Sequence, residues 1–416
     1  MRILLIAAQP YRPSGNARSV ATYFSAFEPN EIVQVFSDAR VPLKGFASSY
    51  FQITDKRLVK RRFKNQKDIV FRRDNLMDTE TKSGAYWRPP VRKKGSFFRL
   101  LRGAIWKKKF WDSETLEKFV DDFGPDLVYV CWGPDFWQMD MAIHFASKRK
   151  LPVVVSIMDD CFAHFGGKGL FTRKYERRFR ETFDKLLSLS PKGIFISEKI
   201  REKYRSEFDL QGIAIPVASA RSLGSPEVTR FCQEPFVYFG TLESGRGETL
   251  FAFSKALEKA RKKEKVIVYS KDYAEFEKRY EGPNIMWLPP VPYHQLPALE
   301  EEAGALVSCE GFSEKNIDTV RYSLSTKIGD CLRSGKVLLS LGPIGAGSVD
   351  FLREKEAALC CASLDEMDQF VEDIYAKTED ELLGLVKKEL AVGKEFDLET
   401  NAKKCKEYLA NLIERN

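Results

Sequence analysis

The stretch YSLSTKIGDCLRSGKVLLSLG, Tyr322–Gly342, reads as a turn, a short helix and a buried strand. Ser325 or Thr326 suits the N-cap, where a side-chain oxygen accepts from free first-turn amides. Ile328 and Leu332 are four apart and mark the core face; Asp330, two positions from each, is expected to point away from it. Gly335 stops the helix, and VLLSL is an unbroken apolar run, as in a parallel strand covered on both faces. The remaining face carries Ser325, Thr326, Lys327 and Asp330. Amides and an ammonium there suit a phosphate, and the carboxylate suits a vicinal diol. The plain alternative is a capped helix with a solvated polar face.

The same alternation extends on both sides. Downstream come the helix after GPIGAGS, the strand AALCCA and a helical end, TNAKKCKEYLANLIER; upstream lie the strands FVYFG, VIVYS, IMWLP and ALVSCE, with helices between them. A polar, Gly- and Pro-containing passage, ASARSLGSPEVTRFCQEP, precedes this series and reads as a linker. Before it, another series runs through RILLIAA, EIVQVFS, LVYVCW, PVVVSIMDD and GIFIS. Two α/β series imply two doubly wound domains facing each other across a cleft. The boundaries are 1–220 for the first domain, 221–235 for the linker, 236–395 for the second domain and 396–416 for a C-terminal helix packing back on the first.

Composition agrees: 416 residues, 44% hydrophobic and 30% charged, provide for two or three cores. The opening MRILLIAAQPYRPSG has too short an apolar run for a signal peptide or a membrane span. Eight Cys include no CxxC pair, and Cys131, Cys309, Cys360 and Cys361 lie in strand-like runs, which favours buried thiols in a reducing compartment. His144, His164 and His294 are widely spaced, so no metal site is expected. Much of the net charge of +8 falls in an aromatic-rich insertion near 55–110, which suits anionic lipid, an acidic ligand or nucleic acid, or is a solvated insertion.

Ligands of open parallel sheets bind beyond the carboxyl ends of the strands. Gly15 and Asn16 follow the first strand and Asp159 and Asp160 end VVVSI; Gly240, Thr241 and Arg246 follow FVYF, and Glu310 follows ALVSC. A paired Asp at a strand end suits acid–base work, or Asp160 only caps the next segment. Arg246 at a helix start could neutralise a diphosphate. Gly15 and Asn16 do not form G-x-G-x-x-G, so a nicotinamide fingerprint is absent.

With these residues placed, the chain resembles the GT-B glycosyltransferases of the large retaining, nucleotide-sugar-dependent group. The likeness rests on STKIGDCLRSGKV in the second half and on the segment before GPDLVYV in the first. It implies that Asp330 binds the donor ribose and that Ser325, Thr326 and Lys327 form the phosphate turn. Arg246 corresponds to the basic residue at the donor diphosphate, with Gly240, Thr241 and Glu310 beside it. Gly15, Asn16 and Arg18 would form the acceptor-side loop, and Asp159 would orient the acceptor. Three positions depart from the pattern: Met158 replaces a His, Tyr322 replaces the first acid of E-x7-E, and Thr241 replaces a second basic residue.

The expectation is therefore a cytoplasmic, peripheral glycosyltransferase, retaining and metal-independent, with no cofactor, in bacterial surface polysaccharide biosynthesis. Its partners would be a nucleotide-diphosphate sugar, a glycan or lipid-linked acceptor and an anionic membrane surface. The rival is a catalytically silent GT-B-like scaffold. Nucleic acid is not an expected partner, because no recognised module accompanies the basic segment.

Overall fold

The computed structural model describes residues 1–10, 16–61, 67–72, 76, 95–164 and 169–414. The chain divides into two compact units, one built from Met1–Ile215 together with the chain from Glu399, the other from Pro216–Leu398.

Among the described residues the first unit has an eight-stranded sheet in the order β4-β3-β2-β1-β5-β6-β7-β8. Its strands are β1 Ile3–Ala7, β2 Ile32–Phe36, β3 Ser49–Gln52, β4 Ile69–Arg72, β5 Leu127–Cys131, β6 Val153–Ile157, β7 Lys192–Phe195 and β8 Gly212–Ala214. All neighbours are parallel except β3 and β4. β1 is central, with Ile3 opposite both Ile32 and Leu127. Every residue of β1 is buried, because helices cover both faces of a parallel sheet. The helix Glu114–Phe123 illustrates how locally the sequence acts. Ser113 accepts from the Leu116 amide at 3.2 Å, Leu116 and Val120 face the core, and Gly124 ends the helix at φ 60°.

Part of the basic insertion is packed into the first unit. Trp106 and Trp111 are buried, and Trp106 stacks on Trp137 with centroids 4.5 Å apart. Arg102 lies between Asp55 and Asp135, and Trp106 Nε1 donates to Asp55 at 2.5 Å. Burial opposes the Arg102 charge, but the two carboxylates outweigh it and hold its pKa above the ordinary value. Arg61 pairs with Asp68. Arg102 and Arg61 thus serve the fold; residues 62–66, 73–75 and 77–94 of this segment lie outside the described residues.

The helix Leu398–Glu414 is fastened to the first unit from Glu399 onward. Cys405 and Leu409 are fully buried, Lys404 donates to Ala214 O at 3.1 Å, and Lys406 reaches Glu31 at 2.7 Å.

The second unit has a parallel six-stranded sheet among the described residues, in the order β11-β10-β9-β12-β13-β14. Its strands are β9 Phe236–Phe239, β10 Val266–Tyr269, β11 Ile285–Leu288, β12 Ala305–Cys309, β13 Leu338–Leu341 and β14 Leu359–Cys361. Phe236, Tyr238, Phe253, Val268 and Leu339 are among its core residues.

The stretch 221–235 does not stand apart as a linker. Val228 and Phe231 join the core of the second unit, Gly224 N donates to Arg333 O at 2.7 Å, and Glu227 N donates to Gly335 O at 2.8 Å. Its polar composition hides two apolar anchors and a run of backbone pairing. No helix of the described residues is long and apolar enough to cross a membrane.

Candidate functional site

In the second unit the strand order reverses between β9 and β12, which is where an open α/β sheet leaves a crevice for ligands. Gly240 and Glu310 directly follow these two strands, and the helix Arg246–Lys259 begins beside them. Arg246 donates to Glu310 Oε2 from Nε at 3.0 Å and lies 2.8 Å from it through Nη2; its Nη1 reaches Thr241 Oγ1 at 3.3 Å. Glu310 is buried, so its charge requires this partner. For Arg246, burial disfavours the charge, yet Glu310 outweighs that and raises its pKa.

Lys327, at the start of the helix Ile328–Leu332, joins them. Its Nζ lies 3.3 Å from Tyr238 Oη and 4.7 Å from the ring centroid, a cation–π contact. Burial first, and Arg246 second, hold the Lys327 ammonium below its ordinary pKa. Two cations are therefore held together at the strand ends with one carboxylate beside them. Glycines permit this crowding. A Cβ on Gly240 would lie 2.0 Å from Lys327 Nζ and 2.8 Å from Tyr238 Oη. A Cβ on Gly311 would meet Ser244 O at 2.2 Å, and Gly245 adopts φ 82°, so two loop backbones touch here.

The structure thus gathers Gly240, Thr241, Arg246, Glu310 and Lys327. It corrects the expectations for the neighbouring helix. That helix is only Ile328–Leu332, its cap position is Lys327, and no side chain caps it. Ser325 Oγ lies 3.5 Å from the Lys327 amide, and Ser325 N donates to Ser348 Oγ at 2.9 Å; Thr326 is exposed. Ile328 and Leu332 are buried as expected, but so is Asp330. Asp330 accepts from Ser219 Oγ at 2.6 Å and Tyr293 Oη at 3.0 Å, with Arg221 Nε 3.8 Å away. Ser219, Arg221 and Tyr293, all remote in sequence, cover the face that the spacing suggested was solvated. Gly335 does stop the segment, at φ 82°.

In the first unit the Asp pair is split. Asp160 is buried, accepts from Tyr204 Oη at 2.8 Å and from Phe162 N at 3.1 Å, and faces Lys203 at 3.2 Å. Its role is to fasten the turn Cys161–His164, while Asp159 is exposed. Tyr23 Oη, beneath, lies 3.6 Å from Met158 Sδ and donates to Ile215 O at 2.8 Å. The reversal in this sheet lies between β1 and β5. Gly15 falls outside the described residues, and Asn16 and Arg18 lie in the first turn of the helix Asn16–Phe24.

Sequence reasoning missed Tyr238, Ser219, Arg221 and Tyr293. Tyr238 looked like an ordinary strand residue, and Ser219 and Arg221 lay in or beside the supposed linker. It also missed that Asp112, Glu117 and His144 place ligand atoms within 4.8 Å of one another. Glu117 is already shared by His144, Lys148 and Arg149, two of them fixed cations, which disfavours a metal there. All eight thiols are free; burial pushes Cys131 and Cys309 up to about 12.

No family model matches the sequence, and no curated protein matches it. Solved structures do match. Sucrose-phosphate synthase from Thermosynechococcus elongatus is similar with a TM-score of 0.62 at 11% identity, over 100% of both chains. HepE from Anabaena, in complex with UDP and glucose, gives 0.60 at 11% identity over 99% of this chain and 100% of that one. WaaG, a glycosyltransferase involved in lipopolysaccharide biosynthesis, gives 0.54 at 10% identity over 97% and 98%. Two parallel α/β units in one chain, matched along nearly its whole length, give this protein the fold of the GT-B glycosyltransferases.

Proposed function

We propose that this chain is a glycosyltransferase that moves a sugar from a nucleotide-diphosphate sugar to a glycan or lipid-linked acceptor, with retention and without a metal. The observation that carries the proposal is the cationic pair at the switch point of the second unit. Arg246 and Lys327 stand at the carboxyl ends of β9 and β12, with Gly240 leaving room beside them. In the reaction the bond from the anomeric carbon to the diphosphate breaks and a bond to an acceptor hydroxyl forms. Negative charge grows on the departing diphosphate, and fixed cations there stabilise it most in the transition state. Glu310 holds Arg246 charged and aimed until a diphosphate competes for it.

Asp159, exposed at the end of β6, is assigned to the acceptor side. Ser325 and Thr326 line the turn before Lys327 and are assigned to the donor. Asp330 is assigned to the donor ribose edge, acting with Tyr293, whose hydroxyl it holds. HepE binds UDP and UDP-glucose, which makes a uridine donor the first to test. WaaG is involved in lipopolysaccharide biosynthesis, which agrees with a role in bacterial surface polysaccharide; the location assigned with that role is cytoplasmic and peripheral.

The test is a thermal-shift panel of UDP-, GDP-, ADP- and CMP-sugars, followed by a transfer assay with the nucleotide that binds. A ligand at a hundredfold its Kd adds about 2.7 kcal/mol, a readily seen rise in melting temperature. If no nucleotide sugar raises it, the donor-site assignment fails.

A further inference from the structure

The mechanism above leaves one surface of the first unit unused. The helices Ser96–Ile105 and Leu170–Leu187 pack side by side and enclose an open groove of about 450 Å³. Its apolar rim is exposed to an unusual degree. Leu170 is 79% exposed, and Phe97, Leu101 and Phe171 are each about half exposed. Phe97 and Leu101 share one face of their helix by their spacing of four. Phe97 meets Phe171 edge-on with centroids 5.0 Å apart, so the two helices present one joined aromatic ridge.

Around this ridge stand Lys107, Lys174, Arg177 and Arg178. They differ from the rest of the basic segment in what they do. Arg102 and Arg61 are taken up by Asp55, Asp135 and Asp68. Arg178 stacks on Phe136 and Arg177 faces Glu181 at 3.8 Å, whereas Lys107 and Lys174 make no ion pair among the described residues. An apolar ridge bordered by cations is complementary to a boundary of acyl chains and phosphates.

We propose that this ridge and its basic border dock the first unit on an anionic phospholipid bilayer, with Phe97, Leu101, Leu170 and Phe171 entering the headgroup layer. The proposal deepens the peripheral location assigned above and rests on it only for context, since the groove is independent of the donor residues. Two signals act together, as stable membrane anchoring requires: insertion supplies apolar burial, and Lys107 and Lys174 supply charge.

The test is co-sedimentation of the full chain with phosphatidylcholine vesicles containing 0 or about 30% phosphatidylglycerol, at low and high salt, without nucleotide. The wild type is expected to sediment only with anionic vesicles and to be released by salt. Each lysine charge near such a surface is worth about fivefold, so Lys107→Gln with Lys174→Gln should lower partitioning about thirtyfold. Leu170→Ser with Phe171→Ser should lower it as well, and the residual binding should be more easily released by salt. Lys278→Gln with Arg279→Gln, two exposed cations of the second unit, should leave it within about twofold of wild type. These side chains are exposed, so unchanged melting temperatures separate lost docking from misfolding. The proposal falls if wild type ignores anionic vesicles at low salt, if the double lysine variant binds like wild type, or if the control pair weakens binding equally. It falls too if the lysine pair governs binding of a random oligonucleotide and not of vesicles. Nucleotide-sugar thermal shifts on the same variants should stay unchanged, so failure of the donor assignment remains visible separately.

Discussion

Arg246→Gln and Glu310→Gln should shift diphosphate affinity in opposite directions. Arg246 now spends its guanidinium on Glu310 and Thr241. A diphosphate arriving at the ends of β9 and β12 has to draw it away. Removing the guanidinium deletes a charged hydrogen bond worth about 1.5–3 kcal/mol, so the Kd for UDP should rise about ten- to 150-fold. Removing the Glu310 charge frees Arg246 and abolishes a repulsion. At about 6 Å and an effective dielectric of about 20, that repulsion is about 3 kcal/mol for each ligand charge before screening. With screening and rearrangement, the Kd for UDP should fall about three- to tenfold in Glu310→Gln. Isothermal titration of UDP and of the best nucleotide sugar measures both, well below the melting temperature of each variant. If both variants bind within twofold of wild type, or move in the same direction, the cationic pair is not a diphosphate site. The paired design also removes a common ambiguity, because both substitutions break the same ion pair and both cost stability.

Three further outcomes follow from particular residues. Gly240→Ala should push Lys327 off Tyr238 and raise the Kd for UDP at least about fivefold, whereas Gly384→Ala, where a Cβ meets nothing within 4 Å, should not; titration of both checks this. Glu389 is fully buried, which raises its pKa well above the usual carboxylate value despite the Leu338 amide donating to it. It holds its proton when folded and loses it when unfolded, so stability should fall by about 1.4 kcal/mol per pH unit above the unfolded pKa until the folded value is reached. Glu389→Gln should remove that slope, read from hydrogen exchange of the β13 amides as pH rises above the unfolded pKa. Glu117 is the opposite case: burial opposes its charge, but contacts with His144, Lys148 and Arg149 win and bring its pKa to about 2. Its stabilising effect is complete above the ordinary pKa near 4.5 and fades as pH falls toward 2. The melting temperature of Glu117→Gln should therefore drop less than that of wild type between pH 5 and pH 2.5.

The strands that cross the middle of each sheet were legible because a doubly covered strand is a nearly continuous apolar run, as LVYVC, VVVSI and ALVSC are. β3 and β4 were not, since SYFQ and IVFR are four residues each and the second sits at an edge inside the basic insertion. Position at a strand end was also legible, and it found Gly240, Arg246 and Glu310. Orientation was not. The burial of Asp330 depends on Ser219, 111 residues away, and on Tyr293, 37 residues away. The division of labour between Asp159 and Asp160 depends on Tyr204. Helical spacing describes one face of one element and is silent about which loop lies over it.

The return of the chain from Glu399 to the first unit has a consequence for biosynthesis. The second unit is continuous in sequence, and the ribosome releases all of it before the helix that fills Cys405 and Leu409 into the first unit exists. Until then the pocket that receives those side chains, and the Ala214 and Ala26 carbonyls that Lys404 and Lys406 will bind, face solvent. The half that starts first therefore finishes last, and the interval between the two events is the time when a nascent chain is most exposed to aggregation and to holding chaperones.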